Sequence, residues 1–362
     1  MKKCAIIAAL IILLSFAACA TAVSPVSQTT ETPANKNNDQ KHTTSPSDNK
    51  SKTRTKKMSE YQDVQDFIND ISIKHKLDKK TITKAFDSSH FDNKVIELMN
   101  MPSEKKYWPE YSSKLISKER IDNGKKYIKD NKAALDGAYM RWGVPPNAVS
   151  AIIGIESNYG KVEIKRTALT GLATLAFEYP RRSKYFKEEL ISLFILADKE
   201  KTDPLSYKGS YAGAVGIPQF MPSNILRYGK DGDGDGQIDI VSSHNDAIES
   251  VAFYLKEHGW ERDKNTIALV TLKQSLPDSD FGISSCDIKK RATVKTLKSK
   301  GVVFNKTYPD NASGILAKLD KENNGFVPVV FFENACPIHR YNGNIKYTAA
   351  VALLAEMLNE AE

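Results

Sequence analysis

Around the segment AIIGIESNYG, Val149, Ile152, Ile153 and Glu156 stand at i, i+3, i+4 and i+7, a spacing that puts all four on one stripe of a helix. A carboxyl on an aliphatic stripe faces burial, which disfavours its charged form and raises its pKa. Such a group arrives protonated and can donate to a leaving oxygen, the work of a general acid. Taken alone, a Glu at a helix end is more often a structural partner of Lys or Arg. A second cluster lies in DGDGDGQIDI. There Asp231, Asp233, Asp235, Gly236, Gln237 and Asp239 fit positions 1, 3, 5, 6, 7 and 9 of an EF-hand loop, Gln237 through its backbone carbonyl. Position 12 is Ser242 rather than the usual Glu, so Asp246 is the candidate closing ligand. Oxygen donors select a hard cation, and Ca2+ in a structural role is expected. The histidines show no HExxH or other zinc spacing, so metal-dependent catalysis is not expected.

These residues need elements to hold them. Pro145-Pro146 opens a helix, since a missing N–H costs little in a first turn. It should run to about Tyr159, with Gly160 as its cap. Before it, residues 61–138 show apolar positions such as Val64, Phe67, Ile68 and Ile71 at helical spacing. After it, residues 167–201 read as two helices, residues 246–259 as another and residues 347–358 as a last one. Between 265 and 330 the pattern changes to short apolar runs broken by Asp, Ser, Gly and Asn, for example 266–272 and 301–304. The expected fold is mainly α with a smaller β-containing part. The division is a helical domain at 59–138, a core at 139–264 that carries Glu156 and the EF-hand-like loop, a β-containing insertion at 265–330, and a C-terminal segment at 331–362 that rejoins the core.

The chain has 362 residues and is 41% hydrophobic, enough for a real core. Lys2 and Lys3 precede an apolar run at 5–14 that is too short to span a bilayer comfortably, the pattern of an export signal over 1–18. Ala17 and Ala18 precede Cys19, which resembles a lipobox. Phe16 departs from that pattern, so two readings stand: lipidation of Cys19, or ordinary cleavage to a soluble secreted protein. Residues 19–58 hold almost no large apolar side chain and read as a flexible tether. Through Met58 there are nine Lys/Arg against three Asp/Glu, a net +6 of the whole chain's +8, which leaves +2 for the body. A basic tail on a nearly neutral body suits anionic lipid or wall polymer and argues against a nucleic-acid partner. Cys286 and Cys336 either pair in an oxidising compartment or stay as separate thiols.

AIIGIESNYG closely resembles the Glu-bearing helix of the membrane-bound lytic murein transglycosylase B family, lysozyme-like enzymes acting on bacterial wall glycan. Further blocks resemble that family in order: WGVPP, LATLAFEYPRR, DPLSYKGSYAGAVGIPQFMPS, DGDGDGQIDI, VAFYLKEHGW and RYNGNIKYTAAVALLAE. The resemblance implies a lysozyme-like catalytic core with Glu156 as its acid/base. It implies that Ser210, Gln219, Phe220, Tyr341, Asn342 and Tyr347 line the saccharide cleft with Tyr111, and that Arg181 and Arg182 meet carboxylates of muropeptides. It supports Ca2+ in the loop. The implied reaction cuts peptidoglycan between N-acetylmuramic acid and N-acetylglucosamine and leaves a 1,6-anhydromuramoyl end. A hydrolase of the same fold, or a wall-binding lipoprotein without the chemistry, are the alternatives. The expected protein is a monomer, on the periplasmic face of the outer membrane if Cys19 is lipidated.

Overall fold

The computed structural model describes residues 56–101 and 106–359. The export signal, Cys19 and nearly all of the tether lie outside the described residues. Six helices come first: α1 (Gln62–Lys74), α2 (Lys79–Asp87), α3 (Asn93–Asn100), α4 (Trp108–Leu115), α5 (Lys118–Asp130) and α6 (Lys132–Trp142). Their starts follow capping chemistry. Asp78 accepts from the N–H groups of Lys80 and Thr81, and Ser117 accepts from that of Arg120. Gly143, at φ 73°, stops α6 and turns the chain into Pro145-Pro146.

Helix α7 (Pro146–Ser157) carries Glu156 in its last turn. It ends two residues earlier than the position of Gly160 suggests, because Asn158 already takes the left-handed conformation at φ 49°. Asparagine tolerates that region, and Tyr159 follows it at φ 61°. The turn folds Tyr159 back over its own helix. Its ring lies so close to Gly154 that a Cβ there would stand 2.5 Å from it, and a Cβ on Gly124 of α5 would stand 2.3 Å from its hydroxyl. That hydroxyl donates to the Arg120 carbonyl at 2.9 Å.

Helices α8 (Ala168–Glu178), α9 (Ser183–Lys199), α10 (Pro222–Tyr228) and α11 (His244–Glu257) follow. The last begins two residues ahead of expectation, capped by the Ser243 hydroxyl. The chain then forms β1 (Ile267–Leu272), β2 (Arg291–Thr293), helix α12 (Val294–Ser299), β3 (Val302–Phe304), β4 (Ser313–Asp320) and β5 (Phe326–Phe331). These make one antiparallel sheet in the order β2-β4-β5-β1-β3. Ile267, Ala317, Leu319, Val329 and Phe331 join the main helical core, while Val270, Leu316 and Val330 pack with Val294 and Leu297 of α12. The longest strand, β4, is missing from the sequence reading because both its faces are covered and its burial does not alternate.

Helices α13 (Ala335–Asn342) and α14 (Ile345–Asn359) return the chain to the core. Asn334, fully buried, fixes the start of α13: its amide donates to the carbonyls of Glu261 and Lys264, and its oxygen accepts from Glu261 N–H. Helix α14 is buried on most sides and packs along α7. The mainly helical fold with a small sheet is the one expected, and the leading helices share one hydrophobic core with the helices that follow. Cys286 and Cys336 form a disulfide across 50 residues of sequence, tying the sheet region to α13. Closing a loop of that length restricts the unfolded chain and contributes about 2–4 kcal/mol. A dithiol reductant should therefore lower the urea midpoint of the wild-type protein and leave that of the Cys286→Ala/Cys336→Ala double variant unmoved; equal midpoints with and without reductant would remove the bond from the stability account.

Candidate active site

The last turn of α7 points Glu156 inward. The residue is 8% exposed, and its Oε1 accepts a hydrogen bond from the Tyr347 hydroxyl at 2.5 Å. Burial pushes the carboxyl up to about 7, and the Tyr347 bond pulls the other way without cancelling it. Among the described residues no Lys or Arg acts on it, so the structural ion-pair reading fails. Nor does a second carboxylate act on it. Glu163, close in sequence, is exposed and lies 3.5 Å from Lys165.

Three phenols surround the carboxyl. Tyr347 stands in the first turns of α14. Tyr341, near the end of α13, lies parallel to it with ring centroids 6.5 Å apart. Tyr111 on α4 is half-buried. Burial first, and the Glu156 charge second, raise all three phenols well above the ordinary tyrosine range. They stay neutral donors.

The loop between α9 and α10 closes the other side. Gly209–Val215 and Val215–Phe220 bridges fold it on itself, and Ser210 N–H and Ala214 N–H bond reciprocally with Ala214 O and the Ser210 hydroxyl. Gly216, at φ 67°, lies against the Ile240 carbonyl, where a Cβ would stand at 2.2 Å. Gln219 is held at φ 52°, its amide donating to Gly216 O at 2.8 Å. The Tyr341 hydroxyl donates to Pro218 O at 2.6 Å, which joins this loop to the tyrosines.

Not every sequence candidate lands in this ring. Phe220 is 1% exposed and packs behind Tyr341 and against Tyr254, so it backs the cleft wall rather than lining it. Asn342 is half-buried at the end of α13, before the left-handed Gly343. Arg181 is exposed, over the Tyr179 ring, and donates to Asn100 Oδ1 at 3.4 Å; Arg182 lies over the rings of Tyr185 and Phe186. Neither acts on Glu156. Tyr254 was not singled out in the sequence. It donates to the Arg340 carbonyl at 2.8 Å and packs on Tyr341, and only its place in the VAFYLKEHGW block hinted at it.

In the acidic loop the carboxylates of Asp231, Asp233 and Asp246 lie within 4.8 Å of one another. Asp246, 1% exposed on α11, accepts from Gly232 N–H at 2.8 Å and Asp239 N–H at 2.7 Å, so it closes the loop where Ser242 could not. Three carboxylates so close repel unless a cation joins them, which is the fit expected of a hard-metal site. The remaining positions point elsewhere. Asp239 accepts from Val241 and Ser242, and Asp235 accepts from Gln237 N–H.

Residues 59–356 match the family model for the transglycosylase SLT domain. The chain is 32% identical over 305 residues to membrane-bound lytic murein transglycosylase B of Escherichia coli, covering 81% of each. Among solved structures it resembles the E. coli lytic transglycosylase Slt35 in complex with calcium at 32% identity and TM-score 0.72, covering 82% of this chain and 92% of that one. It also resembles SltB3 of Pseudomonas aeruginosa in complex with NAG-anhNAM-pentapeptide at 27% identity and TM-score 0.75, covering 83% and 80%.

The Tyr347 bond favours the ionised carboxyl, so removing it should move the Glu156 pKa upward from about 7. In Tyr347→Phe, carboxyl titration followed by NMR of labelled Glu should show that rise, and an unmoved or lower value would contradict the geometry.

Proposed function

Because this chain belongs to the transglycosylase SLT domain family and is a lytic transglycosylase of peptidoglycan, we propose that Glu156 is its acid and then its base. The observation that carries this reading is a buried carboxyl pushed up to about 7 with no other carboxylate among the described residues acting on it. Holding it neutral to that pH disfavours ionisation by about 3 kcal/mol relative to water.

Tyr347 occupies Oε1, so the acid's proton sits on Oε2. From there it passes to the glycosidic oxygen between N-acetylmuramic acid and N-acetylglucosamine as the C1–O bond breaks. The carboxylate left behind, still bonded to Tyr347, takes the proton of the muramoyl C6 hydroxyl while that oxygen bonds to C1. The product is a 1,6-anhydromuramoyl end, no water is consumed, and Glu156 is protonated again. A two-carboxylate hydrolase would need a second acid beside it. In this reading Tyr111, Tyr341, Asn342, Gln219 and Ser210 meet the sugar, Arg181 and Arg182 meet muropeptide carboxylates farther along, and Phe220 supports Tyr341.

Calcium belongs to the same proposal. Asp231, Asp233 and Asp246 would hold it, and it would brace the loop after α10 against α11 without entering the reaction. The reading also takes residues 1–18 as an export signal and Cys19 as the lipidated anchor of a monomer on the periplasmic face of the outer membrane. Sequence pattern alone supports that part.

Glu156→Gln should lower the rate of glycan cleavage by about 10³-fold without changing the fold. Mass analysis of wild-type digests should show anhydro ends; reducing ends carrying the mass of water would replace the transglycosylase mechanism with hydrolysis. Saturating calcium should raise Tm by about 5 °C. Chelator should reverse the rise, Asp246→Asn should abolish it, and melting curves indifferent to calcium would end the metal assignment.

A further inference from the structure

Lys346 sits in the first turn of α14, next to Tyr347. A cation there meets the positive end of the helix dipole and is disfavoured unless something compensates it. Here its ammonium donates to the Lys106 carbonyl at 2.7 Å and to Asp320 Oδ2 at 3.1 Å, with Oδ1 at 3.0 Å. The side chain is 16% exposed. The three partners come from three parts of the fold. Asp320 ends β4, Lys106 lies two residues ahead of α4, and Lys346 belongs to the helix that carries the hydroxyl bonded to Glu156. Lys106 extends the chain of contacts, because its own ammonium lies 3.3 Å from Glu110 in the first turn of α4. The next residue on α4, Tyr111, is raised in pKa by burial and then by the Glu156 charge, so it faces that carboxyl.

We infer that Lys346 is a positioning residue: it braces the α4 wall and the β4–β5 hairpin against α14, and so sets the width of the groove in which the glycan lies over Glu156. The inference rests on the reading of that groove as the glycan site. Lys346 does not act on the Glu156 carboxyl itself, since no cation among the described residues does. Its removal therefore loosens a wall and leaves the acid unchanged. Loss of a wall weakens binding of substrate and transition state together, which appears in KM with kcat preserved.

The test uses the full exported chain and a soluble N-acetylglucosamine–N-acetylmuramic acid tetrasaccharide. Lys346→Met should raise KM about tenfold, with kcat within about twofold and the alkaline limb of the pH profile in place. Lys346→Arg, which keeps the cation and its reach, should restore KM to within about twofold of wild type. Asp320→Asn, at a half-exposed position that folding tolerates, should raise KM about threefold and keeps the inference testable if Lys346→Met does not fold. Unchanged KM in both Lys346→Met and Asp320→Asn would overturn the inference, as would a fall in kcat accompanied by a displaced pH limb. Retained cleavage by Glu156→Gln would instead strike the acid assignment alone, since the KM effects of Lys346 and Asp320 do not depend on which group gives the proton.

Discussion

One buried carboxyl, with no cation among the described residues acting on it, is the condition on which the rest of the site depends. Water or a lysine beside Glu156 would return it to an ordinary carboxylate, and a proton could no longer wait on it at neutral pH. The surroundings are built to exclude both. Aliphatic residues of α7 lie on its stripe, α14 covers the helix, and the groups nearest the charge are tyrosines that remain neutral. The polar contact it does have among the described residues, from Tyr347, favours the ionised form but supplies no charge and does not cancel the effect of burial.

That arrangement explains the effort spent on backbone in the loop before α10. A tyrosine hydroxyl needs an acceptor once buried, and Tyr341 finds its acceptor in Pro218 O. Keeping that carbonyl in place requires the left-handed turn at Gln219 and the contact between Gly216 and Ile240. The aromatic layer of Phe220 and Tyr254 then holds Tyr341 from behind. The acidic loop joins the same frame through Asp246, whose carboxylate ties the Asp231 turn to α11.

Much of this was legible in the chain. The apolar spacing around Val149 and Ile152 marked α7 and put Glu156 on its inner side, and Asp246, expected near the acidic loop, does bring its carboxylate within 4.8 Å of those of Asp231 and Asp233. Other parts were not, for physical reasons. The end of α7 depends on asparagine accepting a left-handed turn before the glycine does. Strand β4 is covered on both faces, and β5 is half-buried over its first three residues and buried over its last three, so neither shows the alternation that identifies a strand. Phe220 looks like a sugar-stacking ring in sequence, and only the positions of Tyr341 and Tyr254 turn it into a support. Lys346 carries no motif, and its partners lie 240 and 26 residues away along the chain.

The ring of Tyr159 shows how tightly some of these positions are bound to one another. It fills space vacated by Gly154 on its own helix and by Gly124 on α5, and its hydroxyl satisfies the Arg120 carbonyl. A smaller side chain at 159 would open a void between the two helices, while a methyl group at either glycine would strike the ring. No single substitution among the three improves matters, so they form a lock that drift can open only by passing through a less stable intermediate. The turn directly after α7 is therefore, through packing alone, among the parts of this chain least free to change.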